Sequence, residues 1–165
     1  MIKPRMTACL KQLHLPAFVE HHAPQGALAA NEGWPYDRYL LGLCELELAE
    51  REQRRIQRLL AESRLPPEKT IETFDRGRLK KAVDRQFAVL LEGDFLDRKE
   101  NVLAFGNPGG GKSHLICALG HVLVRKGRPV FFIPCALLVQ RLLRAKGDLW
   151  LEKELKRLDK FDALI

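Results

Sequence analysis

Gly106-Asn107-Pro108-Gly109-Gly110-Gly111-Lys112-Ser113 is the stretch on which the reading of this chain turns. It fits the pattern G-x-x-x-x-G-K-[ST] at every fixed position. In such a loop the glycines let successive backbone N–H groups turn inward around the phosphates of a nucleotide. The lysine then reaches the terminal phosphates, and the hydroxyl ligates Mg²⁺. The flanks come in the order this mechanism needs. Asn101-Val102-Leu103-Ala104-Phe105 is a short apolar run that predicts a buried strand. Residues 113–125 carry apolar side chains at 115, 116, 119, 122 and 123, a helical spacing that Gly127 ends. A helix beginning at the loop adds the partial positive charge of its N-terminus to the phosphate site.

Working outward, Leu79, Ala82, Val83, Phe87, Leu90 and Leu91 form one helical stripe ended by Gly93, and this helix is expected to pack beside the loop's strand. Beyond the loop, Pro129-Val130-Phe131-Phe132-Ile133-Pro134 is apolar throughout, the mark of a strand covered on both faces. Residues 137–146 predict a helix ending at Gly147. Trp150, Leu151, Leu155 and Leu158 predict another, with Lys153, Lys156, Arg157 and Lys160 as a basic stripe, and Phe161 to Ile165 begin a third strand. Three strands alternating with helices imply a parallel sheet with right-handed crossovers, an α/β nucleotide-binding core.

The N-terminal part reads as helical. A short helix is expected around Met6 to Leu15, a loop from Ala23 to Trp34 because of Pro24, Gly26 and Gly33, and a long helix from near Pro35 to about Ser63, stopped by Pro66-Pro67. On the long helix Leu41, Cys44, Leu48, Ile56, Leu59 and Leu60 are expected to face inward. Arg51, Arg54, Arg55 and Arg58 recur at i, i+3, i+4 and i+7 on another side. Four guanidinium groups in a row match a phosphate backbone. Glu47 and Glu50, four residues before Arg51 and Arg54, equally suit a solvated, ion-paired face. Residues 68–75, polar with Ile71 and Phe74 as anchors, read as a linker that docks.

Composition sets the outer bounds. The chain has 165 residues, 46% hydrophobic and 30% charged, enough to bury a core in one or two domains. Net charge is +7, and it is uneven: residues 1–100 hold 17 basic and 16 acidic side chains, whereas 101–165 hold 11 and 5. A basic surplus suggests a polyanionic partner such as nucleic acid. Cys9, Cys44, Cys117 and Cys135 show no metal-ligand spacing and read as reduced, packed thiols, and the five histidines form no zinc motif. No apolar run is long enough to span a bilayer, and Met1-Ile2-Lys3-Pro4-Arg5 leads into no signal-peptide h-region, so a cytoplasmic protein without a membrane partner is expected.

The order of these pieces resembles the IstB-like transposition helpers of bacterial insertion sequences, relatives of the DnaC helicase loaders within the AAA+ ATPases. Lys69-Thr70-Ile71-Glu72-Thr73-Phe74-Asp75 looks like the family's linker. Asn101-Val102-Leu103 with Gly106 to Ser113, His114 and Leu115 looks like its strand and Walker A motif, and the helix from Tyr39 to Leu60 is similar to its N-terminal region. The resemblance implies an α/β fold, an incomplete P-loop NTPase (AAA+) parallel sheet with an all-helical N-terminal domain. Its expected divisions are residues 1–67 as the helical, DNA-binding domain, 68–78 as linker and 79–165 as the first part of the ATP-binding core.

It also implies ATP and Mg²⁺ as cofactors, held by Gly106, Asn107, Pro108, Gly109, Gly110, Gly111, Lys112, Ser113 and His114. Lys112 is the catalytic cation and Ser113 the Mg²⁺ ligand, while residues near Thr70 to Phe74 lie against the adenine. Implied partners are DNA, through Arg51, Arg54, Arg55 and Arg58, the element's own transposase, and further copies of the chain in a homo-oligomer. His114 and Cys117, read from the residues alone, are helix positions without chemistry. In that family Asp162-Ala163-Leu164-Ile165 would lead straight into the Walker B acids. The expectation is therefore a truncated core, an ATPase in the intact architecture but impaired in hydrolysis as 1–165, whose sheet lacks a strand between the Walker A strand and the last one. A helicase loader, a small-molecule phosphotransferase and a non-enzymatic DNA-binding remnant are the alternatives.

Overall fold

A computed structural model of the chain describes residues 2–165, with side chains from residue 4 onward. It is mostly helical, with one small parallel sheet. In chain order the elements are α1 (Ile2–Gln12), α2 (Pro16–Glu32), α3 (Tyr36–Ser63), a 3-10 turn (Arg76–Arg78), α4 (Lys81–Glu92), the single turn α5 (Asp94–Asp97), α6 (Lys112–Arg125), β1 (Val130–Phe131), α7 (Cys135–Gly147), α8 (Leu151–Leu158) and β2 (Ala163–Leu164). They fall into two compact units, residues 1–55 and 56–165, so the last two turns of α3 belong to the second. Among the described residues no helix is long and apolar enough to cross a membrane.

In the first unit the expected loop at 23–34 is a helix. Pro24 lies inside α2, which starts with proline in its first turn and ends at Gly33 in the left-handed conformation. A mid-helix proline forfeits one backbone bond, and long-range contacts hold the helix regardless. Tyr39 Oη donates to His22 O at 2.9 Å, and Glu47 accepts the Ala17 N–H, an orphan donor of the first turn, at 2.9 Å. Glu47 is 4% exposed. Burial works to raise its pKa, but the Arg51 hydrogen bond, the Ala17 amide and the charges of Arg51 and Arg54 outweigh it and leave the carboxyl below its ordinary value.

This capping contact sets which side of α3 faces inward. Leu43 and Glu47 are buried, with Gly42, Leu46 and Glu50 half-buried on the same side. Leu41, Cys44 and Leu48, expected in the core, are exposed. Of the four cysteines only Cys117 is packed; Cys9, Cys44 and Cys135 are free and exposed.

The second unit is built around α6. Cys117, Ala118, Leu119, Leu123 and Val124 of this helix are buried with Phe87 of α4, Phe95 of α5, Leu59, Leu65 and Val130. Each large side chain buried this way contributes on the order of 1.5–3 kcal/mol. At Gly120 the packing is closest: a Cβ there would lie 2.8 Å from Ile165 Cδ1 and 3.0 Å from Leu65 Cδ2. The sheet pairs Val130 with Ala163 and Phe131 with Leu164. Asp162 N–H to Pro129 O at 2.8 Å and Ile133 N–H to Ile165 O at 2.7 Å extend it on either side. Arg128 bridges Asp97 and Asp162, tying α5 to the start of β2.

The first expected strand, Asn101 to Phe105, does not form. Val102 packs on the core, while Leu103 and Phe105 are 76% and 88% exposed. A ladder needs a neighbouring backbone, and among the described residues none pairs with 101–105. A cavity of about 530 Å³, floored by Ile116, Leu119 and Leu123, lies between Asn101-Val102 and Ala163-Leu164-Ile165.

Two predictions follow from these contacts. Gly120→Val is expected to cost about 1–3 kcal/mol by overpacking, whereas Gly42→Ala, whose added methyl meets nothing within 4 Å on α3, gains about 1 kcal/mol from helix propensity. Urea unfolding of both variants checks the opposite signs. Glu72 is the second case. Its hydrogen bond with Arg125, then those with Thr70 and with its own amide, hold its carboxyl down to about 2 from 4.5. A depressed carboxylate favours the folded state above the higher value and loses that contribution as pH falls through the lower one, so the contact releases between 4.5 and about 2. NMR titration of Glu72 is expected to show this low midpoint, and Arg125→Gln to move it up toward 4.5.

Candidate phosphate-binding site

The glycine-rich loop ends directly in the buried helix α6, which fixes where its amides sit. Gly109 and Gly111 take left-handed φ values of 76° and 78°, a conformation an L side chain resists. Gly110 donates its N–H to Asn107 O at 3.2 Å, and a Cβ on Gly110 would lie 3.1 Å from that same oxygen. The first intrahelical bond runs from Leu115 N–H to Gly111 O at 2.9 Å. The amides of Lys112, Ser113 and His114 precede it, and among the described residues they meet no acceptor. They point off the positive end of a helix of 14 residues.

Lys112 brings a full charge to the same place. Its ammonium donates to Gly106 O at 2.9 Å and Asn107 O at 2.8 Å, folded against the loop's own carbonyls. Ser113 is exposed, with its hydroxyl available at the second position of α6. The donor set is thus three free amides, one ammonium and one hydroxyl, with no carboxylate among residues 106–114. That set fits a phosphate anion.

The loop is braced from the side by residues 68–74. Ile71 packs on the core, and the Phe74 ring lies where a Cβ on Gly111 would be 3.2 Å away. Phe74 also meets His114 edge-on, with centroids 5.1 Å apart. His114 Nε2 lies 3.1 Å from Thr70 O and 3.1 Å from Thr73 Oγ1. Thr73 Oγ1 is itself 2.7 Å from Glu68 O. His114, which from the residues alone carries no role, is the latch between this segment and the loop; only a contact 44 residues long reveals it. Cys117 is buried, and that burial pushes its thiol pKa up, so it is an inert core group.

Of the arginine stripe, the structure places Arg51 on Glu47 at 2.7 Å, Arg54 on Glu47 and Glu50 at 3.6 and 3.9 Å, and Arg55 on Glu52 at 3.3 Å. Arg51 also donates to His14 O. These guanidinium groups remain about half exposed; the Arg55–Glu52 pair is of the weak surface kind, whereas Arg51 and Arg54 meet the buried carboxylate of Glu47. Arg58 is exposed without a partner among the described residues.

The chain matches the IstB-like ATP binding protein family over residues 8–165. A protein of Sinorhizobium fredii named as an insertion sequence ATP-binding protein is 44% identical over 163 residues, covering 98% of this chain and 54% of the relative. The corresponding protein of insertion sequence IS5376 from Geobacillus stearothermophilus is 37% identical over 155 residues, covering 94% of this chain and 62% of the relative. That of IS21 from Pseudomonas aeruginosa is 37% identical over 157 residues, covering 94% and 58%. The chain therefore spans somewhat more than half the length of these relatives. A match across nearly all of its residues means that the chain belongs to the IstB-like ATP binding protein family.

Proposed function

We propose that the chain binds ATP, with Mg²⁺, through Gly106 to His114. In the whole protein, ATP-dependent assembly of several copies on DNA would then assist the transposase of an insertion sequence. The observation that carries the nucleotide reading is the set of free amides at Lys112, Ser113 and His114 beside the Lys112 ammonium. Relatives named for ATP binding in insertion sequences support it and favour transposition over helicase loading. The apolar segment 101–105, the cavity beside it and the parallel pair β1–β2 support reading the second unit as part of a larger AAA+ sheet.

The amides of Gly109, Gly111, Lys112, Ser113 and His114 would take the phosphate oxygens, and the Lys112 ammonium would exchange the carbonyls of Gly106 and Asn107 for phosphate. Ser113 Oγ would ligate Mg²⁺, which neutralises phosphate charge when bound. Phe74, held over Gly111 by the His114 latch, provides an apolar wall next to the loop. Arg51, Arg54, Arg55 and Arg58 would meet DNA phosphates through the exposed parts of their guanidinium groups.

Two measurements test this. Titration with a fluorescent ATP analogue is expected to show binding that Lys112→Ala weakens by about 10–100-fold, the worth of one charge-assisted contact; an unchanged affinity removes Lys112 from the site. Affinity for duplex DNA is expected to fall with salt, and Arg58→Ala to reduce the slope of log K against log salt by about 0.9. A salt-independent or unaltered interaction contradicts the DNA reading.

A further inference from the structure

The basic stripe of α8 has no part in the phosphate loop, and the structure divides it. Lys156 pairs with Glu152 at 2.7 Å, as a solvated lysine commonly does one turn along a helix. Arg157 and Lys160 instead line a recess of about 440 Å³ together with Arg64, which follows α3. Pro129, Phe131 and Phe161 give this recess an apolar wall, in which the Phe131 and Phe161 rings stack with centroids 5.0 Å apart. All of its lining belongs to the second unit, and none of it to the loop at 106–114.

The contacts that hold the three cations leave their charge largely unneutralised. Arg64 Cζ lies 5.6 Å and Arg157 Cζ 5.0 Å from the centroid of the buried Phe131 ring, so one aromatic group carries two guanidinium groups. Arg64 stands at φ 56°, a left-handed position that glycine usually takes after a helix. The preceding Ser63 pins it there, because its carbonyl accepts the Phe132 N–H at 2.7 Å. Neither Arg64 nor Lys160 has a carboxylate partner among the described residues. Arg157 has one, Glu154 at 3.3 Å, but Arg141 pairs with that same carboxylate, and the buried Arg157 Nη2 meets no acceptor. Among the described residues the one carboxylate lining the recess is Glu62. Three cations against one carboxylate leave a surplus that a phosphate dianion balances.

We propose that this recess is a second anion site, in which Arg64, Arg157 and Lys160 take the phosphate group of a small molecule. A phosphate oxygen supplies Arg157 with the acceptor it lacks, after a small rotation of the guanidinium. Shape favours a small molecule over a nucleic-acid backbone: Arg157 is only 34% exposed, set back beside aromatic rings, whereas a duplex meets cations that stand out along a face. The site shares no residue with the nucleotide loop, so it stands or falls separately from ATP binding.

Inorganic phosphate is the probe, added up to about 20 mM to the whole isotope-labelled chain, with sodium chloride at matched ionic strength as the control. Saturable NMR shifts are expected at the Nε–Hε groups of Arg64 and Arg157 and at the amides of Phe131 and Phe161. Lys112→Ala should leave them in place, which separates this site from the loop. Arg64→Ala and Lys160→Ala, both at exposed side chains, should each weaken the affinity about tenfold, the worth of one charge-assisted contact, with circular dichroism unchanged. Glu62→Gln should tighten it by removing the opposing charge. Shifts that sodium chloride reproduces, that vanish with Lys112→Ala, or that ignore both cation changes overturn the proposal. So does a Glu62→Gln variant that binds more weakly, or a short DNA duplex that moves these groups where phosphate does not.

Discussion

A helix buried from Cys117 to Val124 but with its first amides unpaired is the constraint from which the second unit follows. Seven of the 14 residues of α6 are buried, and α4, α5, Leu59, Leu65 and β1 all pack on it. Burial of this kind makes the helix rigid, and rigidity fixes the directions of the N–H groups of Lys112, Ser113 and His114. Unpaired donors are costly in a folded chain unless water or a ligand meets them. Here they open onto the surface under a glycine turn, beside an ammonium. The same core residues that stabilise the unit therefore hold these donors in place, with little reorganisation left for the phosphate proposed to bind there.

The first unit depends on a comparable device with the opposite sign. A helix that starts with proline leaves an early amide to satisfy, and Glu47 of α3 satisfies it at Ala17 while Arg51 balances the buried carboxylate. One polar contact thus decides the rotation of α3, and with it which leucines are covered and which are left exposed. Polar groups set orientation here, and apolar burial follows.

The sequence was most legible where signals are local. Helices α4, α6, α7 and α8 show their apolar period, and the first three end near Gly93, Gly127 and Gly147, of which Gly93 and Gly127 are left-handed, because such signals act over one or two turns. Elements that depend on distant partners were not. Pro24 and Gly26 look like breakers until Tyr39 and Glu47 are seen holding α2 together. The run Asn101 to Phe105 has the composition of a strand, but composition cannot supply the neighbouring backbone that a strand requires. Likewise His114 reads as a bland helical residue, since its partners Thr70 and Thr73 lie more than 40 positions away. The Leu41, Cys44 and Leu48 stripe was visible as a periodic feature, yet hydrophobicity alone could not say that a buried Glu47 turns it outward.

The claim at the centre of this account is that backbone amides at the start of α6 take phosphate oxygens. Amide NMR shifts of the uniformly labelled chain, followed as MgATP is added, measure this directly. Large, saturable changes are expected at Gly109, Gly111, Lys112, Ser113 and His114, with the interior of α6 from Cys117 onward nearly still. Saturating nucleotide that leaves those five amides unmoved, or that shifts only residues elsewhere, would contradict it.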